Sequence, residues 1–476
     1  MATSDLIVAI ELGSSKIAGA VGRKMADGSL KVLAYANEPV AGFVRRGVVY
    51  NIDQTAQCLS NLINRLEPEL GNYTIEQVYV GVGGYTLHSE RNTIARTFDE
   101  ETRVSETLVD EMEEENACKQ YPGYGMLLMV SQEYKIGNNL LNDPVGVNCT
   151  QIEGNYLNIL TRTSVMHNLS KSFEIAKINI ADTAISPLVE ANALLSDSER
   201  RQGCVLVDFG ADTTTVSVYK GGNLRFLSVI PLGGQSINRD LVTLNLDDEE
   251  AERLKCEYGL VAPASNDEVI TLDEGRSVGL RKVYEAIDAR FEEIILNVYH
   301  QIEASGYGEN QLLAGVVCCG GGIHLKGFQS FVEKKMPFAK VRLAYNTQPK
   351  VEWNAMDRPE NGMQGVLMGL LMEGTENCCQ SGLQMEIKPE DEKRVVTGNL
   401  FTDDGESAQA QRDEEIRRQR QQKIKEAEER KNAMQTEKNK GNGKGLFSGF
   451  VKKIRSVSDN IDKLATDFLA DNEDNK

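Results

Sequence analysis

One pattern occurs twice in this chain and restricts its fold more than any other feature. In segments 7–22 and 206–222, an apolar run ends at an acidic residue, a glycine and hydroxyl residues follow, and a second alternating run comes next. The glycine permits a tight turn, so both segments are predicted to form β-hairpins rather than a strand followed by a helix. An internal duplication is the simplest explanation of the repeat.

The first 385 residues or so alternate β-rich apolar runs with helical stretches, punctuated by glycine. The runs at 6–12, 78–82, 205–209 and 315–319 are predicted to be buried strands. A chain of 476 residues exceeds one compact domain, and 41% apolar residues are enough to build cores. The pattern therefore indicates an α/β fold with several structural units.

Charge and cysteine content narrow the class of protein. The 71 acidic and 52 basic residues give a net charge of -19, which disfavours a general nucleic-acid binder because phosphate would be repelled over most of the surface. Nine cysteines without C-x-x-C spacing, beside only four histidines, indicate reduced thiols rather than a metal site. No signal-peptide pattern or membrane-spanning apolar run is present, so we expect a cytoplasmic protein.

The first predicted hairpin carries a phosphate-binding pattern. Its turn could direct backbone N–H groups and hydroxyls at phosphate oxygens, while a lysine offsets their charge. A plain hairpin with a glycine turn would look much the same. The residues in question are Glu11, Gly13, Ser14, Ser15 and Lys16.

The second predicted hairpin repeats this chemistry, with Asp208 placed to hold Mg²⁺ through water. Two such hairpins facing each other would clamp a triphosphate together with Mg²⁺. Glu11 and Asp208 are then the candidate catalytic and metal-binding acids. The remaining candidate phosphate-binding residues are Gly210, Ala211, Asp212, Thr213 and Thr214.

A third element is a buried strand that ends in Gly320, Gly321 and Gly322. Bare backbone at this point would let a flat ring lie against the chain, although three glycines could also form a flexible turn. Directly after a buried strand, the nucleotide interpretation is favoured.

The order of these three motifs, with segments 230–234 and 251–259 between the last two, resembles the superfamily of actin, sugar kinases and heat-shock chaperones. Within it, the Pro-x-Gly-Gly turn at Gly233 and Gly234 and the Ala-Glu-x-x-Lys segment are similar to the FtsA family of bacterial cell-division proteins. The resemblance implies an actin-like two-lobed ATPase fold and places Glu252 and Lys255 near the nucleoside. A surface helix carrying an i, i+3 charge pair is the plainer alternative.

The chain also departs from the family pattern. Glu11 stands where an aspartate is usual, Ala211 and Asp212 replace two glycines, and Thr215 replaces an aspartate. Side chains in a loop that must approach phosphate, one of them anionic, are expected to weaken binding or alter its geometry. We therefore expect at most a weak ATPase.

The resemblance also implies a division into domains. The prediction is a first actin-like lobe at 1–82 and 164–200, an inserted FtsA-type subdomain at 83–163, a second lobe at 201–235 and 312–385, a second-lobe subdomain at 236–311, a charged linker at 386–443, and an amphipathic helix at 444–470.

Segment 412–440 is dominated by charged residues and glutamine, so it cannot form a core; a solvated helix and a disordered tether are both compatible with it.

Beyond this charged segment, apolar residues at spacings of three and four share a helical face flanked by basic residues. Such a helix could dock on a domain, pair with another helix or lie in a membrane interface, and the local basic and aromatic residues favour the membrane. The candidate membrane-binding residues are Leu446, Phe447, Phe450, Val451, Lys452, Lys453, Ile454, Arg455 and Val457.

Together, the resemblance and the terminal helix predict an ATP-binding, polymer-forming adaptor on the cytoplasmic face of the inner membrane at the division septum. The implied partners are the tubulin-like protein FtsZ, other divisome proteins, anionic inner-membrane lipid and further copies of the chain, and no nucleic acid. A sugar or acetate-type kinase would have similar hairpins but gives no reason for the terminal helix. A chaperone-like ATPase would need a folded peptide-binding domain where this chain has a charged linker.

Overall fold

A computed structural model describes residues 5–259, 268–272, 275–348, 350–358 and 362–381. Over these residues the chain forms two large sheets, with helices packed on them, and three two-stranded sheets. The predicted linker at 386–443 and the predicted amphipathic helix at 444–470, with all its candidate membrane-binding residues, lie outside the described residues.

The strands are β1 (Ile7–Leu12), β2 (Lys16–Lys24), β3 (Leu30–Pro39), β4 (Val44–Arg45), β5 (Val48–Val49), β6 (Tyr73–Ile75), β7 (Gln77–Val82), β8 (His88–Arg103), β9 (Tyr124–Ile136), β10 (Asn139–Leu141), β11 (Asn148–Arg162), β12 (Asn179–Ile185), β13 (Cys204–Phe209), β14 (Thr214–Lys220), β15 (Asn223–Ile230), β16 (Val269–Thr271), β17 (Ser277–Gly279), β18 (Gly315–Cys319), β19 (Val341–Leu343), β20 (Val351–Trp353) and β21 (Cys379–Ser381).

The α-helices are α1 (Ile52–Leu66), α2 (Glu106–Ala117), α3 (Thr163–Ala176), α4 (Ser186–Leu194), α5 (Asp197–Gln202), α6 (Gly234–Val242), α7 (Asp248–Tyr258), α8 (Leu280–Ala304), α9 (Phe328–Lys335) and α10 (Gly365–Glu373). None of the helices in this part of the chain is long and apolar enough to cross a membrane.

The first sheet has the strand order β12-β7-β1-β2-β3-β20. The hairpin β1–β2 lies at its centre, with β7 parallel to β1. Helices α1 and α3 pack together against it, as do α4 and α10. Because its central strands are covered, Val8, Ile10 and Val80 have no exposed surface, which matches their uninterrupted apolar sequence.

The second sheet has the order β10-β9-β11-β8-β15-β14-β13-β18-β19, and the hairpin β13–β14 occupies the place that β1–β2 has in the first sheet. Strand β18 runs parallel to β13, as β7 runs parallel to β1. The repeated sequence pattern thus corresponds to a repeated strand arrangement. The long helix α8 packs on this sheet through Phe291, which contacts Phe209 and Phe328.

The predicted inserted subdomain supplies strands β8 to β11 and helix α2. Its strands are part of the nine-stranded second sheet, and antiparallel pairing of His88 with Ser228 connects them to β15. Beside this joint, the buried Arg225 guanidinium forms an ion pair with Glu133 of β9. The segment is therefore bonded to the second sheet, although the chain enters and leaves it from elements of the first.

The structure corrects the prediction that all of 312–385 belongs to the second lobe: β18 and β19 lie in the second sheet, but β20 and α10 belong with the first. Strand β20 pairs with β3, β21 pairs with β6, and α10 packs on α4 and on β1, β2 and β7. The physical reason is that α10 is apolar on every side, and crossing back to the first sheet lets it be covered by both that sheet and α4. The other domain boundaries stay predictions.

The contact between α4 and α10 gives a test of this arrangement. A Cβ atom added at Gly369 would lie 2.1 Å from the Val189 carbonyl oxygen. We expect Gly369→Ala to lower the free energy of unfolding by about 2 kcal/mol, because two backbones must move apart. Urea unfolding measures the effect. Gly308→Ala is the matched control because no atom lies within 4 Å of its added Cβ; equal losses for the two variants would contradict the packing.

Candidate functional site

A cleft of about 1610 Å³ contains most of the predicted site residues. It exceeds the ~300–1,000 Å³ that is usual for small-molecule pockets, so a nucleoside triphosphate would fit. The predicted residues that line it are Glu11, Gly13, Ser14, Ser15, Lys16, Asp208, Gly210, Ala211, Thr213, Gly234, Glu252, Lys255, Gly320, Gly321 and Gly322. Asp212, Thr214 and Gly233 are not among its lining residues.

The two hairpin turns have the same construction. Gly13 N–H donates to the Lys16 carbonyl at 3.0 Å, and Gly210 N–H donates to the Thr213 carbonyl at 2.9 Å. A Cβ atom on Gly13 would lie 2.7 Å from the Lys16 oxygen, and one on Gly210 would lie 2.9 Å from the Thr213 oxygen. Both turns therefore need glycine at this position, and the hairpin prediction is confirmed.

Lys16 is the cation of the first hairpin. Its Nζ lies 4.0 Å from the Met363 sulfur, and among the described residues no carboxylate is within ion-pair distance of it. An ammonium group facing the cleft in this way can pair with an anionic ligand.

Carboxyl groups form the floor of the cleft. Burial, with a smaller contribution from Asp208 and against the attraction of Lys16, raises the pKa of Glu11 to about 7. Burial raises the pKa of Asp208 to about 6. Keeping these acids ionised is costly without a positive ligand.

Glu190 of α4 is a third acid on this floor, and the sequence motifs missed it. Only 5% of its surface is exposed, and its Oε1 accepts a hydrogen bond from the Cys319 thiol at 3.4 Å. Burial, followed by repulsion from Asp208 and Glu11, raises its pKa. The available signal was a single charged residue in the mostly apolar helix α4.

The floor suits a hard divalent cation, because its acids offer oxygen ligands and have too little positive charge nearby. Asp208 and Glu11 are the predicted ligands, through water. The Glu190, Asp208 and Cys319 ligand atoms all lie within 4.8 Å of one another. Burial raises the pKa of the Cys319 thiol, which favours the protonated form over a soft-metal ligand.

The three glycines after β18 have a packing role as well as facing the cleft. Gly320 has φ of 84°, and a Cβ atom there would lie 2.2 Å from Asp208 Oδ1. A Cβ atom on Gly322 would lie 2.7 Å from that of Phe209. The segment continues as the short 3₁₀ helix Gly321–His324, so it is a fixed turn against the second hairpin.

Glu252 and Lys255 form an i, i+3 ion pair on α7 that lines the cleft, with Lys255 buried and Glu252 exposed. Lys255 Nζ lies 2.7 Å from Glu252 Oε2 and donates to the Gly234 carbonyl at 3.4 Å. Asn238 also donates to Glu252, at 2.6 Å. Burial opposes ionisation of Glu252, but the hydrogen bonds from Lys255 and Asn238 outweigh it and lower its pKa.

Of the three predicted residues outside the lining, Gly233 and Thr214 support the second hairpin. Gly234 N–H donates to the Gly210 carbonyl at 3.0 Å, and a Cβ atom on Gly233 would lie 2.6 Å from that oxygen. The buried Thr214 hydroxyl donates to the Leu232 carbonyl at 2.9 Å. Asp212 Oδ2 instead accepts from the Arg46 N–H at 3.0 Å.

In this chain each of the two large sheets places a glycine hairpin beside one cleft, and buried acidic residues lie at the base of that cleft. This arrangement defines the actin-like class of proteins. The solved structure of a PilM-PilN type IV pilus biogenesis complex has this fold, with a TM-score of 0.54, 15% identity, and coverage of 77% of this chain and 97% of the other.

Sequence comparison gives a narrower similarity than the fold alone. Residues 205–364 match the family model for cell division protein FtsA. The cell division protein FtsA of Porphyromonas gingivalis is 29% identical over 71% of this chain and 73% of its own length. That of Bacillus subtilis is 28% identical over 70% and 77%. The chain is thus similar to FtsA proteins over about 70% of its length.

The raised pKa values predict how stability depends on pH. Glu11 binds a proton in the folded chain between about pH 4.5 and 7, where the unfolded chain has released it. Its contribution to stability is therefore present below pH 4.5 and lost as the pH rises to 7, by about 3 kcal/mol in total. We expect the stability of Glu11→Gln, measured by thermal unfolding without metal or nucleotide, to decrease less than that of wild type over this pH range.

The matched control is Glu114→Gln, which changes an exposed acid of α2 and should keep the wild-type profile. The same slope for Glu11→Gln and wild type between pH 5 and 8 would contradict the assignment.

Proposed function

We propose that this chain binds ATP with Mg²⁺ in the cleft and acts as a polymer-forming cell-division adaptor that tethers FtsZ to the cytoplasmic face of the inner membrane. The observation that carries the nucleotide part is the pair of matching hairpins facing one cleft, with Lys16 directed into it and acids on its floor. The similarity to cell division protein FtsA supports the cell-division part.

Each side of the cleft has a distinct task in this proposal. Backbone N–H groups of the two turns, the hydroxyls of Ser14, Ser15 and Thr213, and the Lys16 ammonium hold the phosphates. The pair Glu252 and Lys255 contacts the sugar, and the glycine turn after β18 accommodates the base.

The metal ion would sit over Glu11 and Asp208 through water and offset the charge that these acids share with the phosphates. It would also polarise the terminal phosphoryl group. The chain itself supplies Glu11, Asp208 and Glu190 as the acids able to accept a proton from an attacking water.

Turnover is expected to be slow. Thr215, where the family has an aspartate, is nine-tenths buried and offers a hydroxyl but no carboxylate to a water molecule. The raised pKa values of Glu11 and Asp208 leave them partly protonated near neutral pH without metal. We therefore regard bound nucleotide as a regulator of assembly, with the chain at most a weak ATPase.

The membrane tether rests on the sequence pattern at 444–470. Its apolar side chains would contribute about 1.5–3 kcal/mol each on burial, and each basic residue roughly 1 kcal/mol near anionic lipid, less the cost of forming the helix. One helix of this kind binds reversibly. Polymerisation would join many such helices into one strong attachment, because each further contact becomes intramolecular.

The similarity to FtsA proteins also distinguishes this proposal from the alternatives. The relatives described above are named as cell division proteins, and nothing in them favours a sugar kinase. A kinase would further require a second substrate beside the phosphates, and nothing among the described residues favours one.

Nucleotide binding can be tested with two substitutions. Lys16→Ala should weaken ATP binding about 10- to 100-fold, because a charge-assisted contact to phosphate is lost. Asp208→Ala should abolish the Mg²⁺ dependence of binding and any turnover. Isothermal titration with and without Mg²⁺ measures both effects.

The control for these variants is Lys282→Ala, on the exposed side of α8, which should bind like wild type. Unchanged affinity and metal dependence in both cleft variants would show that the hairpins do not hold nucleotide.

Membrane binding can be tested by co-sedimentation with vesicles of anionic and of zwitterionic phospholipid. The full chain should pellet with the anionic vesicles, and a chain that ends at Lys440 should stay in the supernatant. Phe447→Glu combined with Phe450→Glu should have the same effect as the truncation, because a charged side chain cannot enter the apolar layer cheaply. Equal pelleting of all three proteins would contradict the tether.

A further inference from the structure

A short hairpin at residues 44–49, which we name the strap, borders the cleft through Gly47. Strands β4 and β5 pair Val44 with Val49 and Arg45 with Val48. The turn between them consists of Arg46 and Gly47, with φ angles of 52° and 71°. Arg46 is one of few described non-glycine residues with a positive φ, a conformation that costs energy unless its surroundings hold it.

The strap is fixed to the corner that follows strand β7 of the first sheet. Tyr85 N–H donates to the Arg46 carbonyl at 3.0 Å, and the Arg46 guanidinium lies over the Tyr85 ring at 5.9 Å. Gly47 and Gly84 are in close backbone contact, since a Cβ atom on Gly47 would lie 2.7 Å from the Gly84 Cα. The strap therefore moves with the first sheet.

Two consecutive amides of the strap bond to the two phosphate hairpins. Gly47 N–H donates to the Ser14 hydroxyl oxygen at 2.8 Å. Arg46 N–H donates to Asp212 Oδ2 at 3.0 Å. Because Ser14 belongs to the first hairpin and Asp212 to the second, the strap joins the two sides of the cleft at the end where phosphates would lie.

The hydrogen bond from Arg46 N–H explains why an aspartate can be present at position 212 in the second hairpin. The sequence predicts that an anion in the second hairpin repels phosphate, but the carboxylate bonds to the strap and does not line the cleft. Ser14 keeps its function as well, because its oxygen accepts from Gly47 and its hydrogen stays available to a phosphate oxygen.

We propose that Asp212 is a latch between the second hairpin and the strap, and that its hydrogen bond to Arg46 N–H must break before nucleotide leaves. This rests on the proposed nucleotide function and adds a control of release to it. Phosphates held between two hairpins cannot escape until the hairpins separate, and the latch resists that separation. A charge-assisted bond of this kind is stronger than a neutral one, so it should act mainly on the rate of dissociation.

The test uses the full chain with a fluorescent ATP analogue, Mg²⁺ and a chase of excess unlabelled ATP in stopped flow. Asp212→Ala should release the analogue about tenfold faster, with little change in the association rate. The release rate of Asp212→Asn should lie between those of wild type and Asp212→Ala, because its amide oxygen can still accept the hydrogen bond but carries no charge.

A second route to the same effect moves the strap. A Cβ atom on Gly84 would lie 2.8 Å from the Gly47 carbonyl oxygen, so Gly84→Ala should displace the strap and also speed release. The matched control is Asp110→Ala, an exposed aspartate of α2, which should release at the wild-type rate. Thermal unfolding of each variant confirms that it is folded.

The possible outcomes distinguish the latch proposal from the proposed nucleotide binding on which it rests. If wild type binds the analogue and Asp212→Ala, Asp212→Asn and Gly84→Ala all release it within twofold of the wild-type rate, the latch is overturned while nucleotide binding stands. If wild type fails to bind any analogue, the nucleotide function is overturned and the latch with it. Faster release in the Asp212 variants, with the control unchanged, supports both.

Discussion

Three carboxyl groups meet between the two sheets, and the rest of the cleft is arranged around their unfavourable burial. Glu11 comes from the first hairpin, Asp208 from the second and Glu190 from α4, and burial raises the pKa of each. An arrangement that costs stability in the empty protein is usually retained because a ligand reverses the cost. Here the appropriate ligand is a cation bound together with an anionic group, which Lys16 and the two turns can receive.

Ligand binding and stability are therefore linked in this fold. A nucleotide and its metal ion that bind only the folded chain stabilise it in proportion to their free concentration relative to the dissociation constant. Their contribution would act on both sheets at once, because one hairpin of each would contact the same ligand. In the proposed function, nucleotide is in this sense a component of the interface between the two sheets.

The local motifs were predictable from sequence, and contacts between distant segments were not. The two hairpins follow from short-range patterns, since a glycine after an acid determines the turn whatever surrounds it. Glu190 was missed because its partners, Asp208 and Cys319, come from other strands. Helix α10 was assigned to the wrong lobe because sequence order does not show that the chain crosses back to the first sheet.

Asp212 illustrates a further limit. A sequence pattern places a residue on a loop, but it does not determine whether the side chain faces the ligand or turns away from it. That choice depends on a hydrogen-bond donor supplied by residues 44–49, far away in the chain. The contribution of such a residue can be understood only from its partner.

The way in which the inserted segment is attached has a mechanical consequence. Its chain is continuous with the first sheet at both ends, through β7 and α3, while its strands bond sideways to the second sheet at His88 and Ser228 and at Arg225 and Glu133. A segment that is attached to both sheets cannot move rigidly with both of them when the angle between the sheets changes. Any change in the angle between the sheets must strain or shear this joint, so the segment responds to the opening of a cleft that it does not line.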